Sequence, residues 1–203
     1  MSLTLEERFN KMKEIRNELL QFKDSSLYQY RVDNKFFPVV GEGSHTAHII
    51  FIGEAPGKNE AETGRPFCGK SGKVLDNMLE SIQLNRSDVY ITNIVKDRPQ
   101  ENRDPTEEEI KMYAPFLDRQ IDIIQPSVIA TLGRFAMTYV MNHFGLSDKI
   151  GSISDLHGKE FVTKTGYGPI AVIPLYHPAV ALYDGSNKET ILKDFQVLKK
   201  YIK

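Results

Sequence analysis

The sequence predicts an α/β fold, with three layers (α/β/α) around a central four-stranded parallel sheet. Four short apolar runs, separated by segments with helical periodicity, are the basis of this prediction. Such runs are typical of strands buried on both faces, and strands that alternate with helices form parallel sheets. Ligands of these sheets bind beyond the carboxyl ends of the strands. Functional residues are therefore expected in the loops that follow the four runs.

The predicted strands and helices alternate along the chain. The strands are expected at 48–52, 89–95, 128–132 and 170–174. The helices are expected at 4–22, 74–82, 106–124, 134–144 and 188–202. Two helices begin with a capping box, in which a threonine and the glutamate three residues later each accept from the other's backbone N–H. These pairs are Thr4 with Glu7 and Thr106 with Glu109. Residues 24–47 are rich in turn formers and are predicted to be irregular.

Length, charge and cysteine content narrow the class of protein. The chain has 203 residues, with 26 Lys and Arg against 27 Asp and Glu, which gives a formal net charge of −1. It lacks an apolar run of about 18 residues, so no membrane span is predicted, and its charged first residues do not resemble a signal peptide. The single cysteine, Cys68, excludes an internal disulfide and a multi-cysteine metal site. We expect one domain over 1–203, with segment 1–47 packed on it, in a cytoplasmic, nucleoid-associated monomer of prokaryotic type.

Two glycine-rich loops contain the first candidate functional residues. Loop 53–57 presents Glu54, whose carboxylate can orient or deprotonate a water; a solvated glutamate on a surface turn is the alternative. Residues 64–73 fit the phosphate-loop pattern G-x-x-x-x-G-K-[ST]. No apolar strand precedes them, which disfavours nucleotide hydrolysis, although backbone amides at the start of the next helix still suit a phosphate. Phe67 in this loop is either a stacking surface or a core residue.

Loops after the second and fourth strands add polar side chains to the same edge of the sheet. Asn93 lies inside an apolar run, where an amide is costly unless it is paired, and its donor and acceptor can read the edge of a base. His177, held next to Pro178, can donate to an oxygen that gains negative charge. A structural role for either residue remains open. His45 and His48 have no third ligand at a sensible spacing, so no zinc site is predicted.

Five motifs, in this order, resemble those of the uracil-DNA glycosylase superfamily, and most closely its family 4 enzymes of bacteria and archaea. They are GEAPG at 53–57, GRPFCGKSG at 64–72, VYITNIVKDRP at 89–99, NRDP at 102–105 and YHPA at 176–179. The resemblance covers roughly residues 40–200. It implies the uracil-DNA glycosylase-like fold and a monofunctional repair enzyme that hydrolyses the N-glycosidic bond of uracil in DNA and leaves an abasic site. The implied partner is uracil-containing DNA, single- or double-stranded, and no metal is required.

The resemblance implies a role for each matching residue. Glu54 would act on the attacking water, and His177 would stabilise charge on the uracil O2. The implied uracil pocket consists of Ala55, Gly57, Phe67 and Asn93. Phe67 would stack on the flipped-out base, and Asn93 would read its edge. Gly57 occupies the position at which other branches carry a tyrosine that excludes thymine.

Because the overall charge is nearly balanced, DNA binding must depend on a local strip of basic side chains and backbone groups. The candidates for this strip, and for the loop that wedges into the duplex, are Gly69, Lys70, Ser71, Arg98, Arg103, Arg134 and Ala179. The strip borders the implied uracil pocket on the strand-end loops.

The chain departs from the resemblance in its cysteines. Family 4 enzymes usually hold a 4Fe–4S cluster through four cysteines, two of them between the first helix and the first strand. Residues 20–47 contain no cysteine, and the other two positions are occupied by Asp97 and Tyr113. We therefore predict no cluster and no other cofactor. Packing around Phe36, Phe37 and Tyr113 is expected to order the N-terminal segment instead.

Three alternatives to uracil excision stay open. The first is a superfamily member with shifted base specificity, such as for deaminated purines. The second is a non-catalytic or covalently trapping uracil-DNA binder, although Glu54, Asn93 and His177 are all present and no histidine-bearing insertion is seen near 96–105. The third is the phosphate-loop nucleotide hydrolase, which would depend on magnesium rather than on uracil-containing DNA.

Overall fold

A six-stranded sheet forms the centre of the computed structural model, which describes residues 3–183 and 187–202. Its strands are β1 Glu42–Gly43, β2 Ile49–Gly53, β3 Tyr90–Asn93, β4 Val128–Leu132, β5 Phe161–Thr165 and β6 Gly168–Leu175. They lie in the order β1-β3-β2-β4-β6-β5. Strands β3, β2, β4 and β6 are parallel neighbours, and β1 and β5 pair antiparallel at the two edges. The predicted α/β class and the four parallel strands are confirmed, and two short edge strands extend the sheet to six.

Helices occupy most of the chain between the strands. Those in the described ranges are α1 Leu5–Leu20, α2 Tyr28–Asp33, α3 Lys58–Thr63, α4 Lys70–Ser81, α5 Glu107–Ile124, α6 Arg134–His143, α7 Ile153–Leu156, α8 Val180–Tyr183 and α9 Asn187–Phe195. Both predicted capping boxes are present, at the starts of α1 and α5. The predicted final helix is split into α9 and a 3₁₀ helix, Gln196–Tyr201. None of the helices in the described ranges is long and apolar enough to cross a membrane.

Alternate residues of each parallel strand are buried in two separate cores. In β2, Ile50 and Ile52 face the core that contains residues of α1, α5 and α6. Their neighbours Ile49 and Phe51 face the opposite core, which contains residues of α4 and α9. Because the side-chain period of a strand is two, a strand covered on both faces is apolar at most of its positions. This explains the continuous apolar runs in the sequence and produces the three layers.

The N-terminal segment packs through two of the three predicted aromatic residues, Phe36 and Tyr113, and through Phe22, which was not predicted. Phe22 makes edge contacts with Tyr113, at 5.4 Å between ring centroids, and with Phe116, at 5.1 Å. Phe36 packs against Tyr30 at 5.9 Å. Phe37 is 54% exposed, so its predicted part in ordering this segment is wrong. Segment 24–47 was predicted to be irregular, and this is wrong for two parts of it, helix α2 and strand β1.

Candidate active site

The predicted catalytic and base-binding residues meet at the carboxyl edge of the parallel strands. Gly53 at the end of β2 lies opposite Asn93 at the end of β3. Glu54 follows β2 directly, and His177 lies two residues after β6. Parallel strands end at the same edge of a sheet, so loops far apart in sequence come together there.

Asn93 and Phe67 converge on Gly53. A Cβ atom at Gly53 would lie 2.4 Å from Oδ1 of Asn93 and 2.7 Å from the tip of the Phe67 ring, so only glycine fits between them. Lys96 donates to the main-chain oxygen of Asn93 and does not engage its side-chain amide. The amide and the ring therefore lie side by side, one polar and one flat. This combination suits recognition of a planar base by its edge and its face.

The loop that carries Phe67 is held in an unusual backbone conformation. Phe67 has a φ of +46°, in the left-handed region that non-glycine residues rarely adopt. Gly72, in the first turn of α4, lies so close that a Cβ there would be 1.8 Å from the carbonyl oxygen of Phe67. The Phe67 ring is 5.7 Å from the imidazole of His177, with 34° between the planes. The loop thus holds the phenyl ring beside the histidine at considerable conformational cost.

Glu60 is a member of the site that was not predicted from the sequence. Its Oε1 accepts from the backbone N–H groups of Cys68, at 3.1 Å, and Gly69, at 3.0 Å. Its Oε2 lies where a side chain at Gly57 would begin, 2.7 Å from that Cβ position. A carboxylate one helical turn before a glycine-rich loop is the sequence signal that could have indicated this contact. The predicted use of the Gly69 amide for a phosphate does not fit, because Glu60 already occupies it.

His177 has a fixed neutral form. The backbone N–H of Ala179 donates to Nδ1 of His177 at 3.1 Å. An amide can only donate, so Nδ1 carries no proton and the ring N–H is on Nε2. Burial lowers the pKa of His177 to about 4, although Glu60 opposes this change. At neutral pH the imidazole is therefore uncharged and has one N–H, on Nε2, to donate.

Glu54 is partly buried, and its pKa is raised to about 7. Burial is the main cause, the negative charge of Asp104 adds to it, and the positive charge of Arg134 opposes it. Asp104 and Arg134 are themselves paired at 2.7 Å on the exposed rim. A carboxyl group with a pKa near the working pH is well suited to accept a proton from water.

The candidate phosphate contacts differ in whether their side chains already have partners within the protein and in how exposed they are. Arg103 is held by both carboxylate oxygens of Glu109, at 2.6 and 2.8 Å. Arg98 donates to Asn102 and to the hydroxyl of Tyr30, so it braces its own loop. Lys70 is exposed and Ser71 partly exposed at the start of α4, and Arg134 is exposed on the rim. Ala55 is partly buried against the core, whereas Ala179 belongs to the turn that follows His177.

A network of hydrogen-bonded polar side chains supports the loop after β3. Arg31 contacts both carboxylate oxygens of Asp97, at 3.0 and 2.9 Å. The Tyr113 hydroxyl donates to Asp97 at 2.6 Å and lies 2.8 Å from the hydroxyl of Ser25. Arg31 also donates to the main-chain oxygens of the last two residues of α1. The network joins the N-terminal segment to the loop after β3 and to α5.

Comparison with known proteins identifies the family. A model of the uracil DNA glycosylase superfamily matches residues 40–200, most of the chain. The chain belongs to this superfamily. The superfamily assignment agrees with the mixed α/β architecture and with the motifs at the strand ends.

Several type-4 uracil-DNA glycosylases are similar to this superfamily member over most of its length. The protein from Sulfurisphaera tokodaii is 43% identical over 190 residues, which cover 93% of this chain and 84% of the relative. That from Archaeoglobus fulgidus is 45% identical over 158 residues, 78% of each chain. That from Thermotoga maritima is 40% identical over 172 residues, 84% of this chain and 85% of the relative.

The residues at the cluster positions implied by the resemblance do not fit an iron–sulfur cluster. Such clusters are held by cysteine thiolates. Asp97 and Tyr113 are hydrogen-bonded to each other at 2.6 Å, and Asp97 is also paired with Arg31. Carboxylate and phenol groups that satisfy one another leave no set of ligands facing a common centre. Among the described residues, no group of three or more His, Cys, Asp or Glu side chains is placed to hold a metal ion.

Proposed function

We propose that this superfamily member hydrolyses the N-glycosidic bond between uracil and deoxyribose in DNA and leaves an abasic site. Similarity to type-4 uracil-DNA glycosylases at 40–45% identity supports uracil excision in DNA repair. The structural observation that carries the proposal is the meeting of Asn93 and Phe67 at Gly53, with His177 beside the phenyl ring. These groups can read the edge of a base, stack on its face and stabilise charge on its oxygen.

The proposed pocket receives a base that has been flipped out of the DNA stack. An enzyme cannot reach the glycosidic bond within a duplex, so the nucleotide has to leave the stack. We assign the stacking surface to Phe67 and recognition of the uracil edge to Asn93, with Ala55 and Gly57 lining the pocket. At Gly57 the space is limited by the carboxylate of Glu60, which lies 2.7 Å from the Cβ position.

In the proposed reaction a water attacks C1′ of the deoxyribose while the bond from C1′ to the base breaks. The bonding electron pair leaves with uracil, so negative charge develops on the base. The Nε2–H of neutral His177 donates a hydrogen bond to the uracil O2, where part of this charge collects. Glu54 in its carboxylate form takes the proton from the water. Burial of both residues strengthens these interactions, because a low dielectric screens them less.

DNA phosphates are proposed to bind at the rim of this pocket. Lys70 and Ser71 are the available contacts, together with Arg134, whose pair with Asp104 is exposed to solvent. The turn with Ala179 would enter the space that the flipped nucleotide leaves. Arg103 and Arg98 act instead by holding the loop after β3. We propose activity on single- and double-stranded DNA by a monomer, in the cytoplasm beside the nucleoid, where such a substrate is found.

We propose that the chain contains no 4Fe–4S cluster. The mutual hydrogen bonds of Asp97, Tyr113 and Arg31 support this proposal, because they satisfy the residues that would face a cluster. Elemental analysis of purified protein should find well under one iron atom per chain, and visible absorbance typical of iron–sulfur proteins should be missing. Iron at a stoichiometric level would overturn the proposal.

The test of the function is excision from a labelled oligonucleotide with one uracil, as a single strand and in U:G and U:A duplexes, with EDTA present. Hot alkali should then cut the strand at the uracil. The same strands with thymine are the specificity control. Hypoxanthine and xanthine strands test the shifted specificity, and tight binding without scission would indicate a non-catalytic binder. A phosphate-loop hydrolase is disfavoured, since helix α3 rather than a strand precedes the loop and Glu60 occupies its amides.

A further inference from the structure

Lys96 is a fully buried lysine close to the proposed uracil pocket. Its ammonium group donates to the Thr92 hydroxyl at 2.7 Å, to the main-chain oxygen of Asn93 at 2.7 Å and to Oε1 of Gln120 at 2.6 Å. The Thr92 hydroxyl proton is committed to the main-chain oxygen of Val40, at 2.7 Å, so toward Lys96 this hydroxyl can only accept. Three close acceptors therefore face the three N–H bonds of a protonated lysine, and the main-chain oxygen of Val40 is a more distant fourth contact at 3.5 Å.

Burial lowers the pKa of Lys96 well below its usual value, and this cost has to be offset by its partners. The three close partners of the ammonium group are neutral oxygen atoms, and the negative charge of Asp118 opposes the lowering of the Lys96 pKa. A neutral amine has only two N–H bonds, so one of these close contacts would join two lone pairs. The geometry therefore favours the charged form of Lys96. Its three bonds are directional and end on the Thr92 hydroxyl, the main-chain oxygen of Asn93 and the side chain of Gln120.

The contact to Asn93 falls where the sheet no longer provides a partner. Asn93 is the last residue of β3, and its main-chain oxygen accepts from Lys96. On the other side, the next residue, Ile94, donates its N–H to the oxygen of Gly53 at 3.0 Å. Asn93 is thus fixed from two directions, and the direction of its side chain follows from its backbone.

Gln120, on helix α5, is the third close partner of the Lys96 ammonium group. While its Oε1 accepts from Lys96, its Nε2 donates to the main-chain oxygen of Val40 at 2.9 Å and to the Tyr90 hydroxyl at 3.0 Å. The amide of Gln120 is therefore fixed in orientation, and through it the ammonium group is tied to α5. A short chain of hydrogen bonds runs from the helix layer to the end of β3.

We propose that Lys96 is a positioning residue for uracil excision, which acts by fixing the backbone of Asn93 so that the side-chain amide meets the base edge. This rests on the proposed function. Lys96 touches neither the pocket nor the base in this assignment; it acts only through Asn93. A misplacement of about 1 Å can cost about 10²-fold in rate. Loss of the ammonium group should therefore lower the rate of the chemical step measurably.

The test compares Lys96→Met with Lys13→Met, which removes an exposed lysine of α1. Single-turnover excision at saturating enzyme should fall about 10²-fold in Lys96→Met and stay unchanged in Lys13→Met. Binding of abasic-site DNA should change less than 3-fold in both, as should the folded fraction by circular dichroism at the assay temperature. A proportionate loss of rate, binding and folded fraction would show a merely structural role and overturn the proposal.

A double-mutant cycle with Asn93→Ala separates action through Asn93 from any other effect. If Lys96 acts through Asn93, adding Lys96→Met to Asn93→Ala should change the rate less than 3-fold. Additive losses would overturn the proposal.

If Lys96→Met does not fold, Gln120→Met is used in the same cycle, where it should slow the wild-type background about 10-fold and the Asn93→Ala background hardly at all. A wild-type protein without excision would overturn both the proposed function and this inference, whereas normal excision by Lys96→Met would overturn the inference alone.

Discussion

The backbone N–H of Ala179 donates to Nδ1 of His177 at 3.1 Å, and this single bond determines what the histidine can do. It places the ring proton on Nε2 and, with burial, keeps the imidazole neutral. A neutral donor stabilises developing charge on a base without giving up its proton. The proposed role of His177 thus depends on the turn that follows it as much as on the side chain itself.

Replacing His177 by alanine should slow the chemical step and leave DNA binding almost unchanged. Loss of one preorganised donor to a developing anion typically costs about 10²–10³-fold in rate. Single-turnover excision and the Kd for abasic-site DNA are measured for His177→Ala and for His48→Ala, an exposed control. Equal losses in rate and affinity would assign His177 to binding rather than to chemistry.

Excision should rise with pH through about 7, because only the carboxylate form of Glu54 accepts a proton from water. The pKa of Glu54 is raised to about 7, whereas that of His177 is lowered to about 4, so only Glu54 titrates between pH 5 and 9 in this pair. Asp104 helps to raise the Glu54 pKa, so Asp104→Asn should move the midpoint to lower pH. The measurement is single-turnover rate against pH. A profile unchanged in Glu54→Gln would remove Glu54 from the reaction.

Asn93→Ala should abolish most base excision while the protein remains folded. A site built to hydrogen-bond its substrate loses discrimination and rate when the polar partner is missing, here by at least about 10²-fold. Asn77→Ala, on the exposed face of α4, is the matched control. Circular dichroism checks the fold, and unchanged turnover in Asn93→Ala would refute the proposed recognition of the uracil edge.

Gly72→Ala should displace the Phe67 loop, since the added Cβ would lie 1.8 Å from the main-chain oxygen of Phe67. Forcing an extra carbon into a packed site costs about 1–3 kcal/mol. Gly166→Ala is the control, because nothing lies within 4 Å of that Cβ position. Urea unfolding and excision are measured together. Wild-type values for Gly72→Ala would show that the loop tolerates a different path.

Asp97→Ala should strongly destabilise the fold, because it leaves Arg31 buried without its partner. Breaking a buried ion pair from one side costs about 3–5 kcal/mol, while Tyr113→Phe, which removes one donor, should cost about 1–3 kcal/mol. Glu18→Gln breaks the exposed pair with Arg119 and should cost at most about 1 kcal/mol. Urea midpoints give the order. Equal effects of Asp97→Ala and Glu18→Gln would contradict a bracing role.

The sequence predicts well those parts of the fold that depend on burial. The run at 128–132 is a strand with the predicted bounds, because both of its faces are covered and four of its five residues are apolar. Strand β5 was missed since its residues are partly or fully exposed and show no apolar run. Strand β1 has only two residues, and its pairing with β3 depends on contacts distant in sequence.

The site, like the fold, contains residues that the sequence predicts and contacts that it does not. The motifs that resemble the uracil-DNA glycosylase superfamily indicated Glu54, Phe67, Asn93 and His177. That Glu54, Asn93 and His177 share one edge of the sheet follows from their positions after parallel strands. Partners within the site were not predictable in this way. The sequence around Glu60 and Lys96 does not indicate their partners, and only the folded chain brings Glu60 to the amides of Cys68 and Gly69. Arg103 was predicted to contact DNA because the sequence did not indicate that Glu109 is its partner in the folded chain.

The brace formed by Arg31, Asp97 and Tyr113 consists of protein side chains alone. Hydrogen bonds between side chains form as the chain folds, so this brace needs no assembly machinery to deliver and insert a prosthetic group. Oxidants that attack thiolate-bound metal centres have no target in it. The loop after β3 is therefore held by a support whose formation depends on folding alone.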